Sequence, residues 1–361
     1  MQPSMTCISL SGNKGTIFVI GFPEPIANNS HHQGEEGKMK SLSMKYSIMI
    51  IAALALLFAP LGLTAATAQE RPLKIGLSLS TLNNPFFVTL KDGAQKEADI
   101  LDVSLIVTDA QNRLDKQISD IEDMIQQKVD ALLINPTDSA GIATVVKRAN
   151  NAGIPVFAID RGIDVSTGAR VIAQIASDNV FGGRLQARFL AKALGGQGNV
   201  VELEGIPGAS AAVDRKAGFE AELAEVAPGI KIIVSQEAGF DQAKGLEVMQ
   251  NVIQGNPGKI DAVVAANDSM ALGAIQAIQQ AGAKRPEGGR IIVVGFDAID
   301  QALEQIRKGH MDATIAQQPA LMGQLGVGTG RLNAISPLIY SQLKNAQPFP
   351  VPVKTITAGD L

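Results

Sequence analysis

The chain has 361 residues, 46% hydrophobic and 18% charged, with 36 Gly, 17 Pro and a formal net charge of -4. This is a globular composition long enough for two domains of ordinary size. The mildly acidic balance, with no basic blocks, argues against a nucleic-acid partner, which needs concentrated Lys and Arg against phosphates.

Residues 1–37 carry no readable signal and form an unassigned leader. Met39 or Met44 is a natural initiator for the export signal, so the leader is expected to lie outside the translated product. Residues 38–68 read as that signal: Lys38, Lys40 and Lys45 precede the apolar run Ile48–Leu63, which ends in Thr64-Ala65-Ala66-Thr67-Ala68. A basic start, a short apolar core and a small-x-small end are the parts of a cleaved secretory signal. The expected cut follows Ala68. The alternative is a membrane anchor, but the run is short of the roughly 20 residues a span needs and is broken by Pro60. The single cysteine, Cys7, lies upstream. The mature chain therefore has no disulfide, thiolate metal site, Cys nucleophile or lipoprotein cysteine, and a soluble exported product is expected.

From Leu73 onward, strand-like and helix-like stretches alternate. Strand-like runs are Leu73–Leu79, Val103–Asp109, Ala131–Asn135 and Pro155–Asp160. Continuous apolar runs suit strands buried on both faces of a parallel sheet. Between them, Ile118, Ile121, Met124 and Ile125 fall on one helical face, and Asn84-Pro85 reads as a helix start. The pattern then begins again with Asn199–Glu204, Lys231–Ser235, Ala262–Ala266 and Ile291–Phe296, with Leu246, Met249, Val252 and Ile253 on one helical stripe. A last helical pattern, about Pro319–Leu343, precedes the segment Val351–Ile356. Two successive βα runs predict an α/β fold of two doubly wound, Rossmann-like parallel-sheet lobes, with the first crossover near Ser177-Asp178.

Ligands of open α/β sheets bind beyond the carboxyl ends of the strands, so the polar residues there carry the information. They are Ser80 and Asn84, Asp160 and Arg161, Asn267 and Asp268, and Asp297. Phe86 and Phe87 follow Asn84-Pro85; Arg215 lies early in a helical pattern; Phe240 ends QEAGF; Phe296 precedes Asp297; Gln317 follows ATIA. With no Trp and two Tyr beside twelve Phe, aromatic stacking falls to phenylalanine. A small sugar needs donors and acceptors at fixed angles and a flat apolar face; ionised Asp supplies acceptors, Arg a planar fork of donors, Asn and Gln both. Each residue also has a plainer role. Asn84 or Asp297 can cap a helix, the phenylalanines can be core, and Asp160-Arg161 can be a surface pair worth little. Their joint position at strand ends favours a site.

At these residues the mature chain resembles the ribose-binding members of the pentose/hexose branch of the periplasmic binding protein superfamily. The segments that carry the resemblance are STLNNPFF (Ser80–Phe87), LKDGAQKEAD (Leu90–Asp99), LLINPTDS (Leu132–Ser139), IASDNVFGG (Ile175–Gly183), KGLEVMQN (Lys244–Asn251), MALGA (Met270–Ala274), VVGFD (Val293–Asp297) and ATIAQ (Ala313–Gln317). They run in order through almost the whole mature chain. The resemblance implies a type I periplasmic binding protein with a three-segment hinge. It implies an N-terminal lobe of 73–177 plus 318–352 and a C-terminal lobe of 178–317 plus 353–361. It further implies a sugar-binding set of Asn84, Phe86, Phe87, Asp160 and Arg161 from the first lobe, Arg215, Phe240, Asn267, Asp297 and Gln317 from the second lobe and hinge, with Ser80 and Phe296 lining the pocket. By resemblance the ligand is D-ribose or a related monosaccharide such as allose. The partners are the membrane subunits of an ABC permease and, alternatively, a chemotaxis receptor; the location is the periplasm; the protein is a monomer without metal or cofactor. The stretch after ATIAQ departs from the pattern, with an unusual run of glycines.

Gly326, Gly328 and Gly330 lack the spacing and the preceding strand of a dinucleotide fingerprint, and Gly255–Lys259 lacks the spacing of a phosphate loop and the Ser or Thr that comes after its lysine. His310 is the only mature histidine, which leaves a His-based triad or multi-His metal site almost nothing to use. A sugar-responsive repressor needs an N-terminal helix-turn-helix, where this chain has the export signal. An enzyme using Asp160 and Asp297 as an acid/base pair is disfavoured because Arg161 is expected to hold Asp160 ionised. The expectation is therefore a binding protein and not an enzyme.

Overall fold

The computed structural model describes residues 71–337 and 349–361. The export signal and the leader lie outside the described residues, as does the end of the helix expected over Pro319–Leu343. Among the described residues no helix is long and apolar enough to cross a membrane.

The first sheet takes β1 (Leu73–Leu79), β2 (Val103–Asp109), β3 (Ala131–Ile134), β4 (Val156–Ile159), β5 (Ala173–Ser177) and β11 (Phe349–Val351), in the order β11-β5-β4-β3-β1-β2. The second takes β6 (Gln197–Glu204), β7 (Gly229–Glu237), β8 (Ala262–Ala265), β9 (Ile292–Asp297), β10 (Ala313–Ala316) and β12 (Lys354–Thr357), in the order β12-β10-β9-β8-β6-β7. All pairings are parallel except β10 with β12. The central strands β3, β4, β8 and β9 are buried along their whole length, which is why they read as unbroken apolar runs.

Helices cover both faces: α1 (Pro85–Leu101), α2 (Leu114–Gln126), α3 (Ala143–Asn151) and α9 (Pro319–Ile335) on the first sheet, and α4 (Asn179–Ala193), α5 (Ser210–Val226), α6 (Gln242–Gly255), α7 (Asp268–Ala281) and α8 (Asp300–Arg307) on the second. Separate apolar cores lie on the two faces of each sheet. The chain passes between the sheets at 178, 317–318 and 352–353, so three segments join two doubly wound lobes.

The glycine-rich start of α9 has a packing reason. A Cβ on Gly323 would strike the backbone of Leu90, and one on Gly93 would strike that of Ala320, so α1 and α9 can approach only through this reciprocal pair. Gly326 and Gly330 lie against Leu133 and Ile75 of the sheet. The same device joins α4 to α5, where Gly183 meets Arg215 and Gly218 meets Val180.

Two elements differ from the sequence expectation. β5 is a strand where the pattern of apolar runs predicts none. The segment Val351–Ile356 is split between β11 and β12, which belong to different sheets.

Candidate ligand-binding site

In the first lobe the site begins where β1 and β4 end. Asn84 caps α1, its Oδ1 accepting from Phe86 N–H at 3.0 Å, and Pro85 takes the first helical position. The cap sends Phe86 and Phe87 into the cleft edge of the core, both buried, with rings edge to face at 5.2 Å. Asp160 ends β4 in a left-handed turn, φ 62°. The next residue, Arg161, is equally buried. Its Nε stands 3.8 Å from Asp160 Oδ2, within Coulombic reach but too far for a hydrogen bond. Arg161 instead donates from Nη1 to Pro136 O at 3.1 Å, and its Nε has no hydrogen-bond partner. Its guanidinium lies 5.3 Å from the ring centres of both Phe87 and Phe240, a cation–π sandwich.

Asp160 is held from behind. Asn135 donates to its Oδ2 at 3.0 Å and accepts from Ser80 N–H at 3.1 Å. Gln117, fully buried, donates to Asn135 O at 2.8 Å and accepts from Thr137 N–H at 2.8 Å. Burial pushes the Asp160 carboxyl above its ordinary range, opposed first by Arg161 and then by Arg215 and Asn135. Desolvation is the larger influence and the pull of Arg161 the next. Burial likewise lowers Arg161 to about 10.

In the second lobe the parts come from distant segments. Arg215 projects from α5, and Asn179 at the start of α4 accepts from its Nε at 2.9 Å. Its Nη1 donates to Ala266 O at 2.7 Å, and its guanidinium stacks 3.7 Å from the ring centre of Phe296. Asp297 ends β9 at φ 126°, Ala298 follows at φ 59°, and Phe240 sits at φ 59°. Positive φ is rare for residues with side chains, and such strain clusters at functional sites. Asp297 Oδ1 is 3.8 Å from Arg215 Nη1 and accepts from Gln317 Nε2 at 2.6 Å. Burial pushes Asp297 up to about 7 against the pull of Arg215. Asp268, fully buried beneath it, is raised well above the usual range, first by burial and then by Asp297. It accepts from Thr314 Oγ1 at 2.7 Å and from Ile299 N–H at 3.0 Å, so it fixes the strand ends rather than facing the cleft. Asn267 caps α7 through Met270 N–H and donates to Phe240 O.

Ten of the twelve expected residues line one space between the lobes: Asn84, Phe86, Phe87, Asp160, Arg161, Arg215, Phe240, Asn267, Asp297 and Gln317. The volume free within that space is about 10 Å³. Phe296 and Ser80 are not on its wall. Phe296 backs Arg215, and Ser80 lies buried with its Oγ unpartnered. Ala211 lines the space and has no polar group to announce it in the sequence. Asn135, Gln117 and Asn179 also escape the sequence reading. Their function rests on partners far away in sequence, so no local pattern marks them. Two buried polar atoms in the wall, Gln317 Oε1 and Arg161 Nε, have no protein partner. A space holding two cations, two carboxyls, three amides and three phenyl rings suits a small neutral molecule rich in hydroxyls.

A family model described as periplasmic binding protein domain matches residues 75–331. The chain belongs to the periplasmic binding protein family. Among family relatives, the ribose import binding protein of Bacillus subtilis is 46% identical over 80% of this chain and 90% of its own length. The ribose import binding protein of Escherichia coli is 44% identical over 78% and 92%. Of solved family structures, the Caulobacter myo-inositol binding protein bound to myo-inositol superposes with a TM-score of 0.74 at 30% identity, covering 80% of this chain and 94% of that one. An Actinobacillus succinogenes solute binding protein with bound D-allose gives 0.69 at 32%, covering 80% and 98%.

Proposed function

We propose that this protein is the substrate-binding component of an ABC sugar importer and binds D-ribose between its lobes. The observation that carries the proposal is the wall itself. Each lobe contributes one buried arginine and one buried aspartate too far apart to bond directly, and Phe87 and Phe240 flank them from opposite lobes. A ring hydroxyl can bridge each gap, and the ring's C–H faces can lie against the phenyls. The sugar-binding set is then the twelve residues named from the sequence, ten in contact and Ser80 and Phe296 in support. Ligand bridging favours the lobe-closed form, which the permease reads. The identities of 44–46% to ribose import binding proteins support ribose over other sugars, while allose or another pentose or hexose is the alternative ligand.

The lobes are taken as 73–177 with 318–352 and 178–317 with 353–361. The location is taken as the periplasm, after cleavage at Ala68, and the protein as a monomer; a chemotaxis receptor is a second reader of the same closed form. Binding without turnover is favoured over catalysis, because the bonds of Asp160 and Asp297 to Asn135 and Gln317 hold each carboxyl as a fixed acceptor. Calorimetric titration of the mature protein with ribose, allose, galactose, xylose and arabinose tests the assignment. Tightest binding of ribose is the expected result; heat only with another sugar overturns the ligand, and heat with none overturns the function.

A further inference from the structure

The two rims of the cleft differ. On one rim, residues 82–89 of the first lobe face residues 298–301 of the second across a groove of about 460 Å³. On the other, the lobes touch through three hydrogen bonds. Ser139 N–H donates to Gly208 O at 3.1 Å, Ser210 N–H donates to Ser139 Oγ at 3.2 Å, and Gly162 N–H donates to Ser210 Oγ at 2.7 Å. The contact is shaped to be this close: Gly208 has φ 82°, and a Cβ there would strike the Asp138 carboxylate. Ser210 opens α5, a place where a hydroxyl ordinarily serves its own helix. Here the cap position is Ala209, without a side-chain bond, and the Ser210 hydroxyl is used across the cleft instead.

We infer that Ser139 and Ser210 form an interlobe latch that sets the closed-state population, and through it the affinity, without touching the ligand. None of Ser139, Gly162, Gly208 and Ser210 lines the ligand space. Their bonds join atoms of different lobes, so in an open form these groups face water. A contact made only on closing stabilises the closed form equally for every ligand. Apparent affinity scales with that population, so the latch changes all sugars by one factor, whereas a wall residue changes them unequally. The inference rests on the lobe-closure reading proposed above.

The test is Ser139→Ala, Ser210→Ala and the double variant, titrated with ribose and with the next best sugar the wild type binds. Each single variant is expected to weaken binding about 2- to 10-fold, the range of one ordinary hydrogen bond, mainly through faster dissociation in stopped flow. The factor should be equal for both sugars, and the melting temperature of the unliganded protein should be unchanged. Unaltered affinity in the double variant, a factor that differs between sugars, or a lowered unliganded melting temperature would each overturn the latch while leaving sugar binding intact. A wild type that binds no monosaccharide overturns the proposed function, and the latch with it.

Discussion

Each lobe brings one arginine and one aspartate to the cleft, and both pairs stand 3.8 Å apart, yet they are built in different ways. In the first lobe the partners are consecutive residues, Asp160 and Arg161, and a left-handed turn keeps them from closing on each other. In the second lobe Arg215 and Asp297 come from a helix and a strand end far apart in the chain. There the geometry is imposed by Asn179, Ala266, Phe296 and Gln317. The same gap reached by two routes indicates that the gap itself matters. A closed ion pair would satisfy itself, whereas one held open leaves donors and acceptors for hydroxyls. The routes also differ in robustness. Each carboxyl has an amide donor of its own, Asn135 for Asp160 and Gln317 for Asp297, and the difference lies in the arginines. Arg215 is held by two hydrogen bonds and lies 3.7 Å from the Phe296 ring centre, Arg161 by one hydrogen bond with its ring contacts at 5.3 Å.

That asymmetry orders the expected effects of mutation. Arg215→Ala strands Asp297 without its cation and uncovers Phe296. Truncating one partner of a buried charge pair in a binding site costs about 2–5 kcal/mol of affinity, so ribose affinity by calorimetry should fall at least ~30-fold. Arg161→Ala should cost less, since it removes one hydrogen bond where Arg215→Ala removes two and the closest ring contact, and the remaining arginine no longer feels a like charge nearby. If Arg161→Ala proved the more damaging of the two, the contrast between the lobes would be wrong.

The next largest effect is expected from Asp297→Asn, which keeps the shape and removes the charge. Hydrogen bonds to charged groups contribute about 1.5–3 kcal/mol, so a loss of roughly 10- to 100-fold in ribose affinity is predicted. Asn135→Ala tests the first lobe's support without touching the wall. It removes the donor to Asp160 and the acceptor for Ser80 N–H, and about tenfold weaker binding is expected, together with a lowered melting temperature. Unchanged binding in that variant would mean that Asp160 needs no positioning.

The sequence shows one of these half-sites more plainly than the other. Asp160-Arg161 is visible as a charged pair after an apolar run, and Asn84-Pro85-Phe86-Phe87 as a capped helix start. The second half-site is visible only as separate strand ends and one helical arginine, and only the resemblance assembles it. The supporting amides are hidden for a physical reason. Gln117 and Asn179 sit in helices, where a polar residue usually faces water, and their burial depends on tertiary contacts. Strand β5, read as AQIAS, lacks the β-branched run that marks the others. The break between β11 and β12 falls at Pro352, a residue that cannot donate to a sheet ladder, and that proline is the available sign that the segment is two strands.

The smallest effect separates the lobes by pH. Asp297 lies at about 7 because burial outweighs Arg215, with Asp160 adding to the rise and Arg161 opposing it; Asp268 beneath it is raised as well, first by burial and then by Asp297. Sugar hydroxyls donating to Asp297 favour its ionised form. Binding therefore expels the proton, and affinity is full above that value and falls as pH drops below it. Between pH 7.5 and 6.5 the ionised fraction changes about threefold, and ribose affinity should follow by about that factor. Unliganded stability moves the opposite way: a carboxyl whose folded value exceeds its unfolded value of about 4 holds a proton the unfolded chain has released, so this contribution declines as pH rises from about 4 to about 7. Asp297→Asn should flatten the affinity profile, because its amide has no proton to release. Asp160 is raised too, so any slope left in that variant reports the first lobe's carboxyl.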